Sequence, residues 1–211
     1  MDKVIENLNL FPFIHRARYE MDFSSVKEVI DSALQECRIG VKENNIAILE
    51  SGGGMSTAPL SAEFLPHLLP EFDGLNNFLQ QAIDQVLPMW GINPNQMKYI
   101  DRSWCNVHPP GGSTLEHRHN GILVAAVYYL QKPKESGNLL VRNPMEMYKC
   151  NDPIDIEEWD SYIWQSVEVK TGDLLIFPGW LLHKTEVNKS KEDRYVISWN
   201  IRSERCNALF R

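Results

Sequence analysis

The sequence predicts an α+β fold on three observations. Helical periodicity is confined to the part before Pro94. A train of short β-branched and aromatic segments follows it. Turn signals separate those segments at short intervals. Helices first and strands afterwards point to helices bracing one sheet system rather than to alternating βαβ units. No linker, internal repeat or low-complexity tract interrupts the chain. Residues 1–211 are therefore expected to form one domain, with helical support over about 1–95 and a strand-rich core over about 96–203.

The first helix is carried by Val26, Val29, Ile30, Ala33, Leu34 and Cys37, which recur at helical spacing. Ser25 and Glu28 form a capping-box pattern at its start. In the second helix Leu75, Phe78, Leu79, Ala82, Ile83, Val86 and Leu87 repeat in the same way, with Asp73 as the expected cap and Pro88 near the end. Each apolar stripe is one-sided, so each helix should lie on a flat apolar surface.

The strand candidates are KYIDRSWCNVH, ILVAAVYYL, NLLVR, SYIWQSVEV, DLLIF, WLLHKTEV and RYVISWNIR. Pro109-Pro110-Gly111-Gly112, Ser136-Gly137, Thr171-Gly172-Asp173 and Pro178-Gly179 mark turns between them. About seven or eight short strands at this spacing predict a β-sandwich or barrel. The glycine-rich run over residues 51–57 lacks the Gly-Lys-Ser/Thr ending of a phosphate loop. It is expected to be a flexible loop, and it and the segment 145–161 are candidate lids.

Charge and cysteine usage exclude several functions. The net charge is −7, from 21 basic against 28 acidic residues. A nucleic-acid binder needs a basic face, so nucleic acid is not an expected partner. No apolar run approaches the ~18 residues of a membrane span, and no membrane partner is expected. Cys37, Cys105, Cys150 and Cys206 are scattered without a C-x-x-C pair, as in reduced cytoplasmic proteins. A small-molecule or peptidyl substrate and a homodimer are compatible with this composition.

The chemistry concentrates in TLEHRHNGIL, residues 114–123. His117 and His119 are two apart, and on an extended chain such residues point to one side. His183, in another predicted strand, is a candidate third ligand. Two ligands from one strand and one from a distant strand leave open positions on an octahedral metal, the logic of non-haem iron oxygenases. Zinc enzymes also use three histidines, so the ligands alone do not choose the metal. His119 has an alternative as a ring packed outside the ligand set. Arg194 follows His183 by 11 positions and opens RYVISWNIR. A short hairpin through NKSKED would lay these two strands side by side, with Arg194 deep in the barrel. An inward arginine needs a carboxylate, and no acidic residue of the nearby strands is an obvious inward partner. Its anion is then a ligand, or Arg194 is a structural ion pair. Ser198 lies four residues on, on the same face. For His15, His67 and His108, which lack partners at ligand spacing, a structural role is expected.

The order His-x-His, AAVYYL, GDLLIFPGWLLH, RYVISWNI resembles the Fe(II)/2-oxoglutarate-dependent oxygenases. The resemblance is to the prolyl-hydroxylase-like branch and to a group of 2OG-Fe(II) oxygenases with a W-x-N…G…H-x-H motif, which Trp104, Asn106 and Gly111 fit. It covers about residues 97–202. It implies a double-stranded β-helix, a distorted jelly roll, using Fe(II), 2-oxoglutarate and O2 to hydroxylate a substrate with release of succinate and CO2. It implies His117 and His183 as iron ligands, Arg194 and Tyr129 at the distal carboxylate of 2-oxoglutarate, Ser198 beside them, and Asn106 as a weaker contact. His119 stands where most of the superfamily has a carboxylate. The alternatives are a three-histidine cupin-like metalloenzyme that does not use 2-oxoglutarate, and a non-catalytic jelly-roll binding module.

Overall fold

The computed structural model describes residues 5–7, 13–41, 52–58, 64–95, 98–144 and 163–203. Among the described residues ten strands form two sheets. The strands are β1 (Ile5–Asn7), β2 (His15–Arg18), β3 (Met55–Ser56), β4 (Lys98–His108), β5 (Val124–Gln131), β6 (Leu139–Arg142), β7 (Trp164–Val167), β8 (Asp173–Pro178), β9 (His183–Thr185) and β10 (Arg194–Ser203). The main sheet runs β1-β2-β8-β5-β10-β4-β3, and the small sheet runs β7-β6-β9. Every strand pairing is antiparallel.

Two helices, α1 (Ser24–Val41) and α2 (Asp73–Met89), cover the outer face of the main sheet. Their stripes are those the periodicity picks out. Val26, Ile30, Ala33 and Leu34 of α1 and Leu75, Leu79, Ala82, Ile83, Val86 and Leu87 of α2 are buried in one cluster with Tyr128, Ile176, Ile197 and Trp199 of the sheet. Polar atoms buried along this seam find partners, as burial demands. Tyr128 donates its hydroxyl to the Tyr19 carbonyl at 2.8 Å, Tyr195 to Asp31 at 3.0 Å, and the Trp199 indole to Asn76 at 3.1 Å. The expected caps shift. The Asp22 carboxylate accepts from the Ser24 amide at 3.0 Å and the Ser24 hydroxyl at 2.7 Å, so the turn before Ser25 starts α1. Asp73 lies inside the first turn of α2, where its charge meets the helix dipole, rather than at the cap.

The inner face of the main sheet meets the small sheet. Ala125, Tyr129, Leu175, Phe177 and Val196 pack there against Leu139, Val141, Val167 and Leu181. The interior strand β8 is buried along its whole length because helices lie on one side and the small sheet on the other. Two sheets facing one another in this way make the double-stranded β-helix.

Three parts of the expectation change. β1, β2 and β3 have no counterpart among the sequence candidates. The glycine-rich run enters β3: Met55 and Ser56 pair with Val107 and Asn106, and Thr57 is fully buried with its hydroxyl accepting the Cys105 amide at 2.9 Å. Met55 and Ser56 are thus an edge strand rather than part of a flexible loop. β9 and β10 are not side by side: β9 pairs with β6, and β10 with β4 and β5. The connection crosses between sheets instead of turning back, because Asn188 ties it to the end of β4. Its side chain donates to the carbonyls of His108 and Glu192 at 2.8 Å, and its own carbonyl accepts the Gly111 amide at 2.7 Å. Cys105 is free and buried, with its thiol pushed up by burial. The side chains of Cys37, Cys150 and Cys206 and the segment 145–161 lie outside the described residues.

Candidate metal centre

His117, His119 and His183 meet at one end of the barrel. One ligand atom from each lies within 4.8 Å of the others. Backbone pairing holds the arrangement: the His117 and His183 amides and carbonyls exchange hydrogen bonds of 2.9 and 3.0 Å, and the His119 amide donates to the Gly179 carbonyl at 2.8 Å. The His-x-His segment therefore extends the small sheet beyond β9. His117 Nδ1 lies 2.8 Å from the Leu115 carbonyl and His183 Nδ1 2.8 Å from the Leu181 carbonyl. A carbonyl only accepts, so each Nδ1 carries the proton and each Nε2 keeps a lone pair for a metal. The His119 ring is placed differently, packed 5.8 Å from the Trp104 ring and 5.3 Å from that of His183.

Electrostatics favour the ligating form of the His119 and His183 rings. Burial, then His117, pushes His119 down to about 4. Burial, then His117 and His119, holds His183 well below the usual imidazole range. Neutral imidazoles are what a divalent cation takes, and with two Nδ1 protons fixed the donor set suits a borderline metal such as Fe(II) or Zn(II).

Arg194 opens β10 and is fully buried. Its Nη1 donates to the carbonyls of Ser136, Gly137 and Glu186, and its Nη2 to the Thr185 hydroxyl at 2.9 Å. Its Nε is buried without a partner. Among the described residues no carboxylate lies within ion-pair range of it. A buried guanidinium with only neutral partners is what an anion-binding pocket needs. A bulge between Tyr195 and Val196, where β10 shifts against β5, sits beside it.

The inner face of β10 and its neighbours carries the other expected residues. Tyr129 faces the small sheet while Tyr128 faces the helices. Burial pushes the Tyr129 phenol up to about 12, against the pull of Arg194, so it stays a neutral donor. Asn106 is opposite Val196, and Ser198 opposite Trp104 and Val127. Both are half-buried on the same inner face as Arg194. The hydroxyl that touches Arg194 is that of Thr185, two residues after His183. The same-face rule that relates His117 to His119 would have found it. The carbonyls of Ser136 and Gly137 have no sequence signal beyond a turn. His15 accepts the Trp90 indole N–H at 2.9 Å, and His67 Nδ1 meets the Ser103 hydroxyl at 2.8 Å, so both are held inside the fold away from the triad. His108 is the register partner of Arg194, and its Nε2 lies 2.6 Å from the Thr114 hydroxyl.

Residues 102–200 match the model of the "Putative 2OG-Fe(II) oxygenase" family. Over that segment the chain is similar to the 2OG-Fe(II) oxygenases. Solved structures of such oxygenases share its fold. A prolyl hydroxylase from Trichoplax adhaerens, in complex with a hypoxia inducible factor peptide fragment, superimposes with a TM-score of 0.57 at 17% identity, covering 96% of this chain and 88% of that one. A viral collagen prolyl hydroxylase from Paramecium Bursaria Chlorella virus-1, as its 2OG complex, gives 0.55 at 13% identity, covering 90% and 96%. HygX from Streptomyces hygroscopicus, with nickel, 2-oxoglutarate and hygromycin B bound, gives 0.53 at 14% identity, covering 90% and 83%. No curated protein matches in sequence. At these identities the likeness is one of fold. No helix among the described residues is long and apolar enough to cross a membrane.

Proposed function

We propose that the protein is an Fe(II)- and 2-oxoglutarate-dependent dioxygenase that hydroxylates a small-molecule or peptidyl substrate. The observation that carries this reading is Arg194, a buried guanidinium with no carboxylate partner among the described residues, bonded to Thr185 two residues along β9 from the converging imidazole of His183. His117, His119 and His183 would hold the iron. Arg194, with the neutral Tyr129 phenol beside it, would anchor the distal carboxylate of 2-oxoglutarate. Asn106, Ser198 and Trp104 line the half-buried face between these points. With iron bound, 2-oxoglutarate and O2 supply an oxidative decarboxylation to succinate and CO2 coupled to hydroxylation of a C–H bond. The chain's own part is to fix two imidazole tautomers through the Leu115 and Leu181 carbonyls, to orient the cosubstrate, and to exclude water.

Three neutral imidazoles leave the site without the charge of a carboxylate ligand. The cosubstrate dianion then supplies all of the neutralising charge, which makes its anchor at Arg194 more important. Anaerobic titration of the Fe(II)-loaded protein with 2-oxoglutarate tests the reading. A weak charge-transfer band near ~500 nm is expected when a keto acid chelates an iron with open positions, strongly reduced in Arg194→Ala. Iron binding without the band would sink the 2-oxoglutarate reading in favour of a cupin-like three-histidine metalloenzyme. Failure to bind any metal would leave a binding module.

A further inference from the structure

We propose that Arg102 and Asn200 form a substrate subsite, and that the substrate presents to it a carboxylate next to an N–H, as an N-acylated amino acid or the last residue of a peptide does. This rests on the 2-oxoglutarate reading above and names the substrate class of that site.

Pairing register places the two residues. Arg102 stands opposite Asn200 across β4 and β10, Asn200 opposite Ala125, and Ala125 opposite Phe177. Residues directly opposite one another share a face of the sheet. Ala125 and Phe177 pack on the small sheet, so this whole row faces the barrel interior. The next row on that face is Trp104, Ser198 and Val127. The Trp104 ring lies 5.8 Å from that of His119, and the Phe177 ring 4.9 Å from that of His183. Arg102 and Asn200 therefore border the histidines. Arg194 is six residues away along β10, about 20 Å of strand, so the two arginines do not share one carboxylate. Strand pairing slips directly after Asn200, an irregularity of the kind that re-aims side chains beside sites.

Unanswered polar atoms supply the chemistry. Arg102 Nε and Asn200 Oδ1 are both buried, and neither has a hydrogen-bond partner. Arg102 spends Nη2 on the Ala58 carbonyl, and among the described residues no carboxylate lies within ion-pair range of it. Asp101, its neighbour in sequence, is taken by Arg202 at 3.0 Å. Buried polar atoms are ordinarily satisfied, and each exception calls for an explanation. A guanidinium donor without an acceptor fits a carboxylate. An amide oxygen without a donor fits an N–H. A single ligand that carries the two groups side by side answers both.

The test uses Mn(II) in place of iron, with saturating 2-oxoglutarate, so nothing turns over. Mn(II) broadens the NMR lines of a molecule held beside it, which reads binding and position together. The probes are the N-acetyl forms of the twenty amino acids, each as its free acid and as its primary amide. Both forms keep the N–H, and only the acid keeps the charge. At least one acid is expected to bind roughly 10-fold or more tighter than its amide. Arg102→Gln should abolish that preference, and Arg102→Lys, which keeps the charge, should retain part of it. Asn200→Leu should weaken acid and amide by a similar factor, and it tests the subsite independently if Arg102→Gln fails to fold. Calorimetry with 2-oxoglutarate on the same samples shows which variants keep a folded cosubstrate site. A five-residue peptide acid ending in the preferred residue separates the two sources: tighter binding than the acetylated residue assigns a peptide, equal binding a small acyl amino acid, and both keep the subsite. A natural chain that binds 2-oxoglutarate but prefers no acid over its amide overturns this proposal alone, as does a preference that survives Arg102→Gln. A natural chain that does not bind 2-oxoglutarate overturns the parent reading and this one with it.

Discussion

Gly137 lies directly against Arg194: a methyl group added at its α-carbon would stand 3.0 Å from Nη1 and 2.8 Å from the Glu186 carbonyl oxygen. Its φ of +83° is also one that other residues adopt only with strain. The turn before β6 is therefore a wall of the guanidinium pocket. Gly137→Ala is expected to cost about 1–3 kcal/mol in stability from the backbone alone. It should also push the Ser136 and Gly137 carbonyls off Arg194. Urea unfolding measures the first effect and anaerobic 2-oxoglutarate titration the second. An unchanged titration would show that the turn does not position the arginine.

Gly179 plays the matching part at the metal end. A Cβ there would lie 2.4 Å from the Ile122 carbonyl oxygen and 3.0 Å from that of His119. Both neighbours are backbone, which cannot swing away as a side chain can. Gly179→Ala should therefore displace the segment carrying His119 and weaken metal affinity by an order of magnitude or more, on the scale of a misplaced ligand. Competition with a chelating dye, using Zn(II) or Mn(II), reads the effect. Metal affinity equal to that of the natural chain would refute it.

Much of this arrangement is legible in the amino-acid sequence. The helix stripes, the span of β4 and the opposite facing of Tyr128 and Tyr129 follow from periodicity, because burial on one side leaves a repeat of 3.6 or 2. His117, His119 and His183 stand out because ligands need a shared face. What stayed hidden depends on long-range pairing. β2 is a four-residue strand whose place beside β8 is set by tertiary contacts, not by its own pattern. The crossover after β9 hangs on Asn188 and the end of β4, which are 80 residues apart. The arginine cage is built of main-chain carbonyls, which no residue type announces. Thr185 was within reach through its spacing from His183, but a lone threonine in a strand has no special signal until its hydrogen bonds are counted.

Asp173 separates the fold from the site. It is buried at the start of β8, where it accepts from Arg18 Nε at 3.0 Å and from the Lys170 amide at 2.9 Å, with Arg16 Nε at 3.6 Å. These contacts fasten β2 to β8, away from the histidines. Arg18 is 62% exposed, so that pair is partly screened. Asp173→Ala is expected to destabilise by about 1–3 kcal/mol, mostly through the lost carboxylate contact to the half-buried Arg16 and the lost amide bond. Metal affinity of the folded protein should be unchanged. A large drop in metal affinity would mean that β2 and the site are coupled.

His108 gives the metal-free protein a pH dependence of definite sign. Burial, and then the charge of Arg194, pushes its imidazole down from 6.5 to about 3. Above pH 6.5 the ring is neutral in both folded and unfolded chains, and pH has no leverage through it. Between 6.5 and about 3 the unfolded chain takes up a proton that the folded chain refuses. The unfolded state then binds more protons, so stability falls as pH falls through that window and levels off below it. The slope is of the order of 1.4 kcal/mol per pH unit for one such group. His119 and His183 act in the same direction, so the contribution of His108 must be isolated by difference. His108→Gln loses the Thr114 contact, which lowers stability by an amount that does not vary with pH. The titratable share disappears with the ring. Urea unfolding of the metal-free natural chain and the variant from pH 7.5 to 4 should give curves that converge as the pH drops. Parallel curves would show that His108 is protonated as readily in the folded chain as in the unfolded one, and that the ring is not shielded beside Arg194.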